Sequence, residues 1–276
     1  MEALNENVMR FVGKHPSLSI DEGGVVAGAV YSRKEAVVID TLFFPEDAKK
    51  IRRYLEEKGF VIRGVINTHS DADHVWGNQF FGAVQIIAHE KTLSLMKKQG
   101  TELLRSAKKS FSSLKNVSQV FPTQTYTETF RLSVGEIPLV LYHMPGHTSD
   151  SSIVHLPQQK ILFAGDVVIE LPFVKFDSRK LLESLHKIKK MDVDIIVQGH
   201  GSVCGKKKIQ SDISYLESIR KLVQEQIDSG ITEGQIQGIP LEECLSEPRK
   251  SLPRDYAESI HHANLEQIRR ELTNIS

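Results

Sequence analysis

Cysteine is nearly absent from this 276-residue chain: Cys204 and Cys244 are the only two. Two thiols cannot build a disulfide framework or a sulfur-rich metal site, so both read as structural or partly exposed groups. Net charge is absent too. Thirty-five Lys and Arg balance thirty-five Asp and Glu, giving +0 at pH 7. Without a general electrostatic field, neither nucleic acid nor an anionic membrane is an expected partner. No apolar run approaches the roughly 18 residues needed to span a bilayer. The N-terminus, from Met1 through Glu2 to Asn7, is acidic and polar, unlike a secretory signal. Internal repeats and low-complexity segments are lacking as well. What remains is 40% hydrophobic and 25% charged, the balance of an ordinary globular enzyme-sized chain. The expectation is a cytoplasmic protein with a small-molecule substrate and no nucleic-acid or membrane partner; a homodimer stays open.

Short β-branched runs alternate with helical stretches, which predicts a layered α/β fold. Val25–Tyr31 and Ala36–Asp40 read as strands joined at Ser32-Arg33-Lys34. Pro45 opens a helix that Gly59 stops, and Val61–Ile66 is a buried strand running into Asn67-Thr68-His69. A strand over 84–88 and a helix over 90–98 follow. Residues 101–121 are polar with interspersed Leu and Phe, read as an inserted lid over the cleft. Paired strands are expected over 126–132 and 137–143, then over 153–156 and 160–164. A helix over 178–190 and a strand over 194–197 complete a domain of residues 1–205. Residues 206–276 read as a helical extension packed on the body, with breaks near Gly238 and around Pro248–Pro253; His261 and His262 are expected on its surface.

The strongest chemical signal is Thr68-His69-Ser70-Asp71-Ala72-Asp73-His74. Four candidate metal ligands lie within six residues, directly after an apolar strand. His147 in Pro-Gly-His-Thr, Asp166 in Gly-Asp and His200 in Gly-His-Gly also follow strands. Strand ends restrict side-chain direction, and the adjoining glycines let the backbone turn. Imidazole with carboxylate suits zinc, with iron or manganese as alternatives.

These residues resemble the H-x-H-x-D-H signature, with its later His, Asp and His, of the metallo-β-lactamase superfamily. The resemblance runs from about Val25 to Ser202. It implies a four-layer αββα sandwich with two divalent ions at one edge of the sheets. In that arrangement His69, Asp71 and His147 hold the first ion, Asp73, His74 and His200 the second, and Asp166 bridges them. It further implies a hydrolase in which a metal-bridging hydroxide attacks an ester, thioester, lactone or phosphodiester, with Asp73 orienting the nucleophile or relaying its proton. Thr68, Ser149, Asp150 and Ser151 are expected to hydrogen-bond the ligands.

One departure stands out: Asp71 occupies the place of the signature's second histidine. A hard anionic oxygen there favours iron or manganese more than imidazole does. The alternative function is therefore a non-haem di-iron oxidoreductase of oxygen or sulfur chemistry on the same fold. Substrate choice is less legible. Trp76, Phe173 and His143 are the candidate lining residues, and Leu103, Leu104, Phe111, Leu114 and Phe121 could form a hydrophobic entrance.

Overall fold

The computed structural model describes residues 1–19, 21, 23–230, 238–246 and 252–273. Pro248, one of the expected breaks in the C-terminal region, lies outside them.

Two mixed sheets carry the architecture. The first has seven strands in chain order: β1 (Glu2–Ala3), β2 (Val8–Gly13), β3 (Val25–Ser32), β4 (Glu35–Ile39), β5 (Val61–Ile66), β6 (Gln85–His89) and β7 (Gln124–Tyr126). Its first four strands pair antiparallel and the rest parallel. The parallel pairs need crossovers, which α1 (Pro45–Glu57) supplies between β4 and β5. The second sheet has six strands in the order β13-β12-β11-β10-β9-β8, formed by β8 (Thr129–Val134), β9 (Ile137–His143), β10 (Ser152–Leu156), β11 (Ile161–Phe163), β12 (Ile195–Val197) and β13 (Val203–Cys204).

Strand periodicity decides which side chains meet. In β3, Val26 and Val30 face the second sheet, where Leu139, Leu141, Val154 and Phe163 receive them. Their neighbours Val25, Ala27, Ala29 and Tyr31 face the other way, against Ile51 and Leu55 of α1. On the far side of the second sheet, Ile153 and Ile196 pack with α5 (Ser178–Lys190), α6 (Lys206–Asp228) and the last helix, α8 (Arg254–Leu272), which follows the short α7 (Leu241–Cys244). Helix, sheet, sheet and helix thus give the four-layer αββα sandwich, with a helical C-terminal region.

Several local expectations are corrected. The run over 126–132 is not one strand: β7 ends at Tyr126 in the first sheet and β8 starts at Thr129 in the second. Two residues carry the chain between sheets, a switch that apolar alternation cannot reveal. A strand over residues 8–13, unread from sequence, pairs with β3 along its length. Residues 101–121 do not lie over the cleft as a lid. After α2 (Ala72–Val75) and α3 (Glu90–Leu95) they form α4 (Thr101–Ser110) and a 3-10 turn (Ser112–Leu114), and Leu104, Leu114 and Val117 are buried with Phe43, Trp76 and Met96. Phe111 sits edge-on to Phe43 and Phe44, while Leu103 is exposed. His262 is exposed, but His261 is buried, its Nε2–H donating to Ile239 O at 2.9 Å and its Nδ1 accepting from Tyr215 Oη at 2.9 Å.

Candidate metal centre

Every candidate ligand sits just beyond a strand end at one edge of the sandwich. His69 through His74 follow β5, His147 lies between β9 and β10, Asp166 follows β11 and His200 follows β12. Two glycines are required by the close approach of these loops. Gly146 has φ +147°, and a Cβ there would come within 2.3 Å of the Leu181 backbone. A Cβ on Gly199 would lie 2.0 Å from Asp166 Oδ1, in the place of the central carboxylate.

The side chains converge in two groups: His69, Asp71, His147 and Asp166; and Asp73, His74 and His200, the ligand atoms within each lying within 4.8 Å of one another. Asp71 Oδ2 is 3.5 Å from His69 Nε2 and 3.4 Å from His147 Nε2. Asp73 Oδ2 is 3.2 Å from His200 Nε2 and 3.6 Å from His74 Nε2. Asp166 lies between the groups. Its Oδ2 is 3.5 Å from His147 and 3.4 Å from His200, while its Oδ1 is 3.3 Å from His74.

A second layer of contacts aims the imidazoles. His147 Nδ1–H donates to Phe173 O at 2.8 Å, and His200 Nδ1–H to Gly24 O at 2.5 Å. His74 Nδ1–H donates to Asp40 Oδ2 at 2.9 Å. Thr68 also donates its hydroxyl to Asp40 Oδ2, at 2.7 Å, so Thr68 Oγ1 is left to accept from His69 Nδ1–H at 3.1 Å. All four histidines thereby keep Nδ1–H turned away from the centre and present Nε2 to it. Asp40 was not read as functional from the sequence. Its signal was weak: a lone acidic residue closing an apolar strand.

The donor set fits two divalent ions. His69 Nε2, His74 Nε2 and Asp166 Oδ1 are buried with no hydrogen-bond partner. Such orphaned acceptors are costly unless a cation satisfies them. Electrostatics agrees. Burial works against charge on His200, but Asp166 and Asp73 raise its pKa to about 10. His74 is likewise raised, against its burial, by Asp166, Asp73 and Asp40. Burial opposes ionisation of Asp71 too, yet His147 and His69 hold its carboxyl well below the usual range. Three carboxylates set this close together, Asp166 among them buried, therefore demand positive charge, from protons or from metal.

Asp71 has a partner that sequence reasoning missed. Lys175 Nζ lies 2.6 Å from Asp71 Oδ2 and 5.1 Å from the Phe173 ring centroid. Burial lowers the lysine's pKa, but Asp71 outweighs that and raises it. The extra negative charge at position 71 is thus met by an extra cation. His15, also unread, stands T-shaped on His200 with its Nε2 3.9 Å from Asp73 Oδ2. Its Nδ1 accepts from Ser17 N at 3.1 Å, so the ring proton sits on Nε2, toward the cleft.

A cavity opens onto the two groups, and Phe173 is part of its wall. Trp76 and His143 are not. Trp76 is buried against Phe43, ring centroids 4.9 Å apart. His143 stacks on His89 at 3.8 Å and donates to Ser149 O at 2.9 Å. The loop after His147 is closed by Ser151, whose hydroxyl accepts from Thr148 N at 3.0 Å.

A family model described as the metallo-beta-lactamase superfamily matches residues 20–200, well over half the chain. The chain belongs to that superfamily. Among curated relatives, a "Metallo-beta-lactamase type 2" of Pseudomonas aeruginosa is 34% identical over 133 residues, covering 48% of this chain and 47% of that protein. A hydroxyacylglutathione hydrolase of Pelagibacter ubique (strain HTCC1062) is 26% identical over 159 residues, 56% of each chain. The chain thus spans about half the length of these curated relatives. The crystal structure of DIM-1 metallo-beta-lactamase superposes with a TM-score of 0.65 at 18% identity, over 78% of this chain and 95% of that one, a likeness of fold. Within the superfamily, this chain differs from the H-x-H-x-D-H signature by Asp71 and supplies Lys175 beside it.

Proposed function

We propose that this chain is a metal-dependent hydrolase of a small ester or thioester, holding two divalent ions, with zinc the metal best suited to the donors. The observation that carries the reading is the set of buried, partnerless acceptors at His69, His74 and Asp166, the last of which lines an open cavity together with Asp71, Asp73 and His200. Kinship with a hydroxyacylglutathione hydrolase lends support to thioester cleavage.

His69, Asp71 and His147 would hold one ion and Asp73, His74 and His200 the other, with Asp166 shared. So bound, the ions supply a water acidified to near neutrality and polarise the substrate's carbonyl oxygen. The chain's own residues do the rest. Asp73 Oδ2, placed between His74 and His200 at the cavity edge, takes the nucleophile's proton. His15 Nε2–H faces the same edge and hydrogen-bonds the departing oxygen or sulfur, which receives its proton from Asp73. Hydrogen bonds from Nδ1 to Asp40, Thr68, Phe173 and Gly24 keep the imidazoles from turning during the reaction.

The test combines elemental mass spectrometry of the purified protein with hydrolysis of p-nitrophenyl esters and acyl thioesters. About two divalent ions per chain, with turnover lost on chelation and in Asp73→Asn, is the expected result. A protein that takes up no metal, or turns over every ester and thioester at the solvent rate when loaded, overturns the reading. A carboxylate at position 71 favours a second one, di-iron redox chemistry; two irons in the wild type, replaced by zinc in Asp71→His, with oxygen consumption, would establish it.

A further inference from the structure

The cavity has two unlike halves. Its floor is the Asp and His cluster; its wall is built from Leu18, Ile169, Phe173, Leu252, Tyr256 and Ile260. These come from three separate stretches of chain. Leu18 lies between β2 and β3, Ile169 and Phe173 follow Asp166, Tyr256 and Ile260 belong to the first half of α8, and Leu252 lies two residues before it. Tyr256 and Ile260 are one helical turn apart, so both project from one face of α8.

This wall is rigidly attached to the metal centre. Asn264 of α8 is buried, accepts from Val174 N at 2.8 Å and donates to Pro172 O at 2.7 Å. The backbone it grips includes Phe173, whose carbonyl orients His147. The polar groups along the cavity wall are already engaged. Lys175 is paired with Asp71, Glu170 accepts from Gln198 Nε2 at 3.2 Å, and His15 faces Asp73. A second anionic group on the substrate, such as a free carboxylate or phosphate far from the scissile bond, finds no unmatched cation here among the described residues.

We propose that the wall is a binding subsite for an unbranched aliphatic acyl group, so that the substrate is a short- to medium-chain acyl ester or thioester whose chain lies against α8. This rests on the hydrolase reading above and adds the acyl group to it. The apolar side chains of the wall line the same cavity as Asp71, Asp73, Asp166 and His200, so a chain laid against them keeps its carboxyl end at the candidate metal centre. The C-terminal region thereby becomes a specificity element, and the depth of the space before Ile260 sets the chain length.

The experiment uses the full chain loaded with zinc and two parallel series. One is kcat/KM for p-nitrophenyl acetate, butyrate, hexanoate and octanoate. The other is calorimetric binding of the matching free carboxylates, which needs no turnover. Each added methylene is expected to improve kcat/KM and carboxylate affinity by about fourfold until the cavity is full, the equivalent of about 0.8 kcal/mol per buried CH₂. Ile260→Phe, which fills the space, moves the optimum to a shorter chain in both series, and Leu252→Ala moves it to a longer one. Melting curves on both variants establish that they are folded. Chain-length dependence in binding with no hydrolysis would retain the subsite and reject the hydrolase. Hydrolysis with flat profiles in both series, or optima unmoved in the folded variants, overturns the subsite.

Discussion

Asp40→Asn is the substitution that best separates a metal site that is merely present from one that is preorganised. Asp40 is 3% exposed. Its Oδ1 accepts from Thr68 N at 2.8 Å, and its Oδ2 accepts from Thr68 Oγ1 at 2.7 Å and His74 Nδ1 at 2.9 Å. Asparagine preserves the shape but places an NH₂ where one of these oxygens stood. If the NH₂ replaces Oδ2, it confronts two donors. Thr68 must then turn its hydroxyl toward His69 Nδ1, and His74 must shed its Nδ1 proton. Both rings move their proton to Nε2, the atom needed for ligation. If the NH₂ replaces Oδ1, it opposes the backbone N–H of Thr68 and strands that donor, at a cost of about 1–3 kcal/mol. In the first case, metal affinity falls by about 10- to 100-fold, the usual effect of losing a group that orients a ligand. In the second, the melting temperature falls in the metal-free and the metal-loaded protein alike. The assay is competition against a calibrated zinc chelator, paired with thermal unfolding. Metal affinity within threefold of wild type together with an unchanged melting temperature would refute the argument that Asp40 sets the tautomers of His69 and His74.

Three further outcomes follow from the same geometry. Lys175→Gln leaves the Asp71 charge unopposed beside the first group and tightens metal binding, whereas in an Asp71→His background the same change relieves repulsion of a lone cation. A double-mutant cycle on metal affinity should therefore show coupling of about 0.5–3 kcal/mol, and additivity of the two changes would reject the pairing. In the metal-free protein the pKa of His200 is raised to about 10 in the folded state, against an unfolded value near 6.5. The stability this protonation contributes is fully present below about pH 6.5 and is lost as pH rises toward 10. Chelated protein should lose melting temperature across that window, and zinc-loaded protein, whose imidazoles carry no proton on Nε2, should not. Asn264→Leu strands the carbonyl of Pro172 and the N–H of Val174, at about 1–3 kcal/mol each. Chemical denaturation should show the loss, and metal affinity should fall with it because Phe173 no longer holds His147 in place.

The sequence by itself determined which residue types converge at the candidate centre. Ligands that follow strands and adjoin glycine carry their role in residue type and spacing, so His69, Asp71, Asp73, His74, His147, Asp166 and His200 were legible one by one. The layered α/β class was legible because short β-branched runs such as Val25–Tyr31 are a local property, and the sandwich followed from the resemblance carried by the ligand motifs. Whatever depends on packing between distant segments was decided only by the tertiary structure. Lys175 meets Asp71 across 104 residues, and Asn264 grips the backbone beside Phe173 from the last helix. His15 reaches Asp73 from a loop that precedes β3. Trp76 and the Leu104 and Leu114 segment looked like cleft furniture because they adjoin or follow ligands in sequence. They pack on one another instead, since their apolar area is best buried against Phe43. No helix among the described residues is long and apolar enough to cross a membrane. Hydrophobic pattern specifies that a side chain is buried, but the partner that buries it is chosen by the three-dimensional approach of layers. For that reason the cavity wall formed by Leu252, Tyr256 and Ile260 emerged only once α8 was seen lying against the metal centre.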